Sequence, residues 1–220
     1  MFLKQSYSHK IVNKYEGRRI MGNTDIFNAM ANAYDTTERI HIAKVAADAI
    51  RESLKNAETK NAIDFGSGTG LVGMELLWDF KRVLFMDSSQ NMIQQIKQKI
   101  LDNNMQNADT LCFDVEHETP IDLRVDYIFM VQVLLHIKDI NIVLAKLYDM
   151  LNTDGHLIIV DFDKNENIVS DMVHNGFIQE ELSKLIKQLG FSENQSKTFY
   201  KGSKIFMNQD ASLFILDAKK

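Results

Sequence analysis

Cysteine and proline are almost absent from this chain, whose 220 residues carry one of each, Cys112 and Pro120. A single thiol excludes an internal disulfide framework, and Cys112, set in an apolar run, is expected to be a buried thiol. One proline leaves no proline-rich linker, and neither repeats nor low-complexity stretches mark a domain break. No segment approaches the roughly 20 apolar residues needed to span a bilayer, and the N-terminus lacks the apolar stretch of a secretory signal. No membrane insertion and a cytoplasmic location are the resulting expectations.

Excess positive charge is also missing. The net charge is −5, yet residues 1–21 carry Lys4, Lys10, Lys14, Arg18 and Arg19 against Glu16, which makes +4 and leaves −9 for the rest. An acidic body argues against a nucleic-acid partner, because such binding rests on neutralising phosphates with Lys and Arg. The basic leader reads as a flexible N-terminal extension, with Met21 at its end as an alternative start.

What is present is a chain 45% hydrophobic, enough for a substantial core in one domain. Apolar strand-like runs alternate with amphipathic helices, the pattern of a mostly parallel α/β sheet covered on both faces. Strands are expected near 61–65, 82–87, 109–113, 125–131 and 156–161. Helices fall near 71–79, 90–103 and 140–151, the last ended by Asn152, Thr153, Asp154 and Gly155. A helix near 179–189 and strands near 195–200 and 211–217 complete the C-terminal part. Two helices near 25–34 and 36–55 precede the first strand, so residues 22–220 read as one domain that includes a helical cap over 22–57.

The segment Ala62 to Gly70 reads A-I-D-F-G-S-G-T-G: a short strand with an acidic residue near its end, alternate glycines, then a helix opening at Leu71. Gly66, Gly68 and Gly70 permit backbone torsions and a close approach that a Cβ forbids, and the helix start offers free N–H groups. Gly68 to Gly73 matches the dinucleotide pattern G-x-G-x-x-G. In that fingerprint, however, the first glycine follows the strand directly, whereas Gly66 and Ser67 intervene here and Gly73 lies inside the helix. Asp64 offers a carboxylate to a cation, which suits the ammonium of S-adenosylmethionine better than a pyrophosphate. Asp87 serves either cofactor, since a carboxylate can accept from both ribose hydroxyls. An NAD-dependent oxidoreductase is therefore the weaker reading.

Four motifs in order resemble the class I S-adenosylmethionine-dependent methyltransferases, particularly the small-molecule group that includes quinone-biosynthesis enzymes. They are Ile63 to Gly70, Val83 to Ser89, Cys112 to Val115, and Asp126 to Ile137. The resemblance implies a Rossmann-like, doubly wound seven-stranded sheet of order 3-2-1-4-5-7-6 with the last strand antiparallel. It implies S-adenosylmethionine as cofactor, held by Asp64, Phe65, Gly66, Ser67, Gly68, Gly70, Asp87, Ser88 and Met92. Asp114 and Val115 would meet the adenine, and Val131 and Gln132 the mouth of the sheet. Tyr34, in the aromatic-acid pair Tyr34-Asp35, and Phe162 are candidates for substrate contact. No metal is implied.

Methyl transfer from a sulfonium is an in-line displacement that needs placement more than a covalent nucleophile. A general base is needed if the acceptor is a phenol, enol or protonated amine, and His136, Asp161 and His174 are the candidates. The stretch Asp126 to Val133 lacks the Asn/Asp-Pro-Pro-aromatic segment of amino-methylating nucleic-acid enzymes, and no proline adjoins Cys112 as a cytosine-C5 nucleophile requires. A small-molecule acceptor leads, with the protein a monomer or homodimer. The alternative is a non-catalytic S-adenosylmethionine-binding regulatory or partner protein.

Overall fold

A computed structural model describes residues 23–118 and 122–220. The expected basic extension over residues 1–21 lies outside the described residues. Helix α1 (Asn23–Met30) runs into a 3-10 turn and is followed by α2 (Thr37–Arg51). Then come β1 (Asn61–Phe65), α3 (Leu71–Leu76), β2 (Arg82–Asp87), α4 (Gln90–Asp102), β3 (Ala108–Cys112) and β4 (Val125–Val131). After them lie α5 (Ile140–Met150), β5 (Leu151–Phe162), α6 (Gln179–Gln188), β6 (Glu193–Phe206) and β7 (Gln209–Lys219).

The seven strands form one sheet of order β3-β2-β1-β4-β5-β7-β6. The β1–β2, β1–β4, β2–β3 and β4–β5 pairs are parallel, and β7 runs antiparallel to both β5 and β6. Order and strand sense are those implied by the motifs.

Alternation along each central strand builds two apolar layers. Ile63, Met86, Ile128 and Ile159 face α5 and α6, where Val143, Leu147 and Ile186 meet them. Ala62, Phe85, Phe129 and Val160 face the other way, against Ala46 and Ile50 of α2, Leu76 of α3 and Ile96 of α4. Asp64 shares the second face with Ala62, so its carboxyl points toward α3 rather than into the α5 layer.

Helix starts follow local capping chemistry. The Thr36 hydroxyl accepts from Arg39 N, the Ser89 hydroxyl from Met92 N, and the Asp139 carboxylate from Asn141 N and Ile142 N. Each satisfies an N–H group that the first helical turn leaves without a partner.

Three expectations need correction. Cys112 is exposed, because β3 is the outer strand of the sheet and Cys112 ends it on the solvent side. Asn152 to Gly155 do not follow α5 as a separate turn. Leu151 already pairs with Val125 and the next pair is Tyr127 with His156, so the four residues bulge out of β5, with Asp154 at φ 62. The last two strands are longer than their apolar runs and meet at Met207-Asn208, both with positive φ, the conformation of a tight hairpin turn. Methionine is not a turn residue by habit, which hid that hairpin.

Candidate active site

The loop between β1 and α3 is held in place by β2. Gly66 N and Ser67 N both donate to the Met86 carbonyl, at 2.8 and 3.0 Å. Gly68 N donates to one carboxylate oxygen of Asp87 and Ser89 N to the other, each at 2.8 Å. Asp87 thus ties the loop to the start of α4, and its burial pushes its pKa above the usual carboxylate range. Gly66 sits at φ 66, where a side chain is strained, and a Cβ there would lie 2.5 Å from Val133 Cγ2.

Asp64 lies beneath this loop, 3% exposed. Its Oδ2 accepts from Gly73 N at 3.0 Å, a bond across nine residues from β1 into α3. Burial is the main influence on its carboxyl and pushes the pKa up to about 8; donation from Gly73 opposes this, and the nearby Asp87 adds to it. Near neutral pH the group is therefore mostly protonated in the ligand-free protein.

Beside the loop is a cavity of about 50 Å³ whose walls include Tyr34, Arg39, Asp64, Ser67, Val131 and Gln132. Two features mark it as built for a ligand. The Ser67 hydroxyl is buried with no hydrogen-bond partner, a costly condition unless something fills the space. Gln132, the first residue past β4, is held at φ 55, a left-handed conformation unusual for a residue with a side chain, while its N–H donates to Val160 O at 2.8 Å.

The N-terminal helices close over this region. The Thr24 and Ser88 hydroxyls are 3.1 Å apart, and Asn28 Oδ1 accepts from the Ser89 hydroxyl at 2.7 Å. Asp35 accepts from the Thr69 hydroxyl and from Lys99 Nζ, and Lys99 also donates to the Thr69 carbonyl at 2.8 Å. Tyr34 lies against Gly68, and burial pushes its phenol pKa up.

The other sequence candidates sort by position. Val131 lines the cavity, and Gly70, at φ 82, opens α3. Phe65 packs in the core with Ile63 and Phe113. Met92 is fully buried in the first turn of α4. Asp114 caps its own turn, accepting from Glu116 N at 3.0 Å and pairing with His117 Nδ1 at 2.9 Å, and Val115 is buried beside it. Phe162 stacks on Phe206 with centroids 4.1 Å apart, in a small cluster with Ile42 and Leu135.

His136, Asp161 and His174 converge on the turn that follows β4, but none of them is among the cavity walls. Asp161 is fully buried and accepts from Leu135 N at 3.2 Å and Phe162 N at 2.8 Å; burial pushes its pKa up to about 7. His174 N donates to Leu135 O, and its Nε2 lies 2.8 Å from Ile137 O. His136 meets Phe27 of α1 edge-on at 5.1 Å, and burial lowers its pKa to about 4, so its imidazole is neutral at physiological pH. A larger open groove of about 470 Å³, between Asp163 to Asn165 and the β6–β7 hairpin, contains none of the loop residues.

Sequence reasoning missed Arg39. It stands five residues past Tyr34, in the first turn of α2, and only the fold shows that this turn faces the glycine loop.

Comparison with known proteins agrees with this architecture. Residues 63–157 match the family model described as a methyltransferase domain. A methyltransferase of Schizosaccharomyces pombe whose function is uncharacterised is 26% identical over 130 residues, which cover 56% of this chain and 44% of that protein. The chain thus spans less than half the length of that relative. A SAM-dependent methyltransferase from Thermotoga maritima superposes with a TM-score of 0.67 at 18% identity, covering 89% of this chain and 98% of that one. Phosphoethanolamine N-methyltransferase 2 of Haemonchus contortus, in complex with S-adenosyl-L-methionine, gives 0.66 at 15% identity, covering 88% and 60%. Residues 63–157 thus match a methyltransferase domain, and the whole sheet has the fold of the S-adenosylmethionine-dependent methyltransferases it superposes on.

Proposed function

We propose that this protein transfers the methyl group of S-adenosylmethionine to a small-molecule acceptor by in-line displacement. The observation that carries the reading is the cavity in which Asp64, Ser67 and Gln132 meet beside the glycine loop. These residues fit the cofactor: Asp64 would take the methionyl ammonium, Asp87 the ribose hydroxyls, and the Ser67 hydroxyl has a hydrogen bond still to make. Bound S-adenosylmethionine supplies an electrophilic methyl carbon on a sulfonium.

The chain's own groups then place and shelter the reactants. An acceptor lone pair forms the bond to the methyl carbon as the carbon–sulfur bond breaks, and S-adenosylhomocysteine leaves. Near-attack placement of this kind is worth roughly 7–11 kcal/mol. Closure of the N-terminal helices over the loop, through Thr24, Asn28 and Asp35, supports a small acceptor over a folded polymer and excludes water. His136 is neutral at pH 7 with its pKa lowered to about 4 by burial, which makes it a weak proton acceptor and suits it to orienting by hydrogen bonding. Asp161, whose oxygens already serve Leu135 N and Phe162 N, supports the turn that carries His136.

Calorimetric titration with S-adenosylmethionine, S-adenosylhomocysteine and NAD in parallel tests the reading. Micromolar binding of the two adenosyl ligands with NAD silent is expected, followed by methyl uptake into small phenolic, quinone or amine acceptors. Binding of NAD alone would overturn it. Asp87→Ala should weaken S-adenosylhomocysteine binding by about 1.5–3 kcal/mol, the worth of a hydrogen bond to a charged group. Unchanged affinity in that variant would remove Asp87 from the ribose site.

A further inference from the structure

We propose that the open groove between the end of β5 and the β6–β7 hairpin is a second binding site, which takes the carboxylate or phosphate group of a small organic anion on Lys164 and Lys201. The groove shares no wall residue with the cavity beside the glycine loop, and the proposal does not depend on the cofactor reading. With a volume of about 470 Å³ it can admit a metabolite-sized ligand. Four charged side chains stand in its walls, Asp163, Lys164, Lys201 and Asp210, yet no two of them form an ion pair.

The acids are satisfied by neutral donors instead. Asp163 Oδ1 accepts from the Gln179 side-chain amide at 2.6 Å, and its Oδ2 accepts from the Thr198 and Ser212 hydroxyls at 2.8 and 2.7 Å. Asp210 Oδ1 accepts from the Ser203 hydroxyl at 2.7 Å and from Lys204 N at 2.9 Å. Both ammonium groups are left over. Among the described residues, neither Lys164 nor Lys201 has a carboxylate within ion-pair distance, whereas Lys197 of β6 pairs with Glu52 and Lys219 of β7 with Asp154. A cation entering the groove would meet two unpaired ammonium groups and carboxylates that already hold donors. An anion gains charge-assisted hydrogen bonds from both lysines without breaking any that the fold makes.

The walls are fixed before a ligand arrives. Gly202 pairs with Ala211 and Phe206 with Gln209, so three residues of β6 bulge opposite Asp210, with Lys204 at φ 59. This bulge brings the Ser203 hydroxyl and Lys204 N onto the Asp210 carboxylate, as bulges that re-aim side chains do. The loop after β5 is tied to the hairpin by Asp163 N on Ser212 O and by Asn165 Nδ2 on Asp210 O, each at 3.0 Å. Gly202, Ala211 and Ser212 are small and keep the groove open. Binding therefore needs to order only the two lysine side chains.

Titration of the full chain, isotopically labelled, with citrate, inorganic phosphate and ethanolamine, followed by amide NMR shifts, tests the site. Citrate and phosphate should shift the amide signals of Asn165, Gly202, Ala211 and Ser212 in a saturable way that weakens with added salt, and ethanolamine should leave them in place. Both lysines are exposed, so Lys164→Met and Lys201→Met should each weaken citrate binding by about two- to fivefold, and the double variant by about tenfold. S-adenosylhomocysteine affinity should be unchanged in all three variants, which also reports that they are folded. Repeating the citrate titration with S-adenosylhomocysteine present separates two sources of the anion. Tighter citrate binding would assign the site to the acidic end of the methyl acceptor, and equal binding to a separate ligand; either result keeps the site. Shifts that do not saturate, citrate affinity unchanged in the double variant, or a response to ethanolamine in place of the anions would overturn it. A wild type that binds citrate but not S-adenosylhomocysteine would overturn the cofactor reading and leave the groove assignment standing.

Discussion

Asp64→Asn is expected to move stability and cofactor affinity in opposite directions. In the folded, ligand-free protein the carboxyl has its pKa pushed up to about 8 from the ordinary 3.8, chiefly by burial. Between those values the folded protein holds a proton that the unfolded chain has released. The stability this confers is fully present below about pH 4 and is lost as the pH rises through 8. Asparagine does not titrate, and its carbonyl can still accept from Gly73 N. The variant should therefore be more stable than wild type at pH 9, by about 1–3 kcal/mol, and its stability should fall less steeply from pH 6 to 9. Asp161, pushed up to about 7, keeps part of that slope in both proteins. Affinity for S-adenosylmethionine should drop by about 1.5–3 kcal/mol, because the ammonium loses its counter-charge.

The same shift predicts a proton count. At pH 7 wild-type Asp64 enters binding protonated, and an arriving ammonium lowers its pKa, so up to one proton is released per cofactor bound. Calorimetric enthalpies in buffers of different ionisation enthalpy give that number directly, and Asp64→Asn should abolish it. Equal proton release in both proteins, or identical pH profiles of melting, would show that Asp64 does not titrate at the ammonium.

Much of this site can be read from spacing. A carboxylate two residues before alternate glycines, and a second one closing the next strand, specify Asp64 and Asp87 because the parallel β1–β2 register brings Phe65 beside Met86. The strand order is legible only through the family resemblance that the four motifs carry, since motif order along the chain does not by itself set which strands are neighbours. The remainder depends on contacts between residues far apart in sequence. Nothing local places Asp35 on Thr69 and Lys99, or brings Arg39 into the walls of the cavity that Asp64 lines, because those meetings come from how α1 and α2 dock on α3 and α4. The candidate bases illustrate the limit from the other side. Asp161 and His174 have residue types suited to proton transfer, yet the fold gives both of them main-chain partners around Leu135 to Ile137. Cys112 looked buried because its neighbours are apolar, but burial at the end of an outer strand depends on which side the next strand would have been.

Gly73→Ala should be damaging although it sits inside a helix, where alanine is ordinarily favoured over glycine by about 1 kcal/mol. A Cβ at this position would lie 2.4 Å from Asp64 Oδ2 and 2.4 Å from Phe85 Cε1. Neither neighbour can yield easily, since Phe85 is fully buried in the layer facing α2 and Asp64 is 3% exposed. Inserting a methyl group into such a space costs about 1–3 kcal/mol, which cancels or exceeds the helical gain. The functional loss should be larger than the stability loss. Moving α3 away from β1 lengthens the bond from Gly73 N to Asp64, the donation that favours the ionised carboxylate, so the ammonium meets a misplaced and more fully protonated partner. Affinity for S-adenosylhomocysteine is expected to fall by at least tenfold, about 1.4 kcal/mol, with the melting temperature lowered. Phe85→Leu should restore part of both by opening space beside the new methyl, a positive coupling that a double-mutant cycle reads. A Gly73→Ala protein that melts above wild type and binds S-adenosylhomocysteine as tightly would mean that the helix start slides freely over β1, and that Asp64 does not need Gly73 to hold its place.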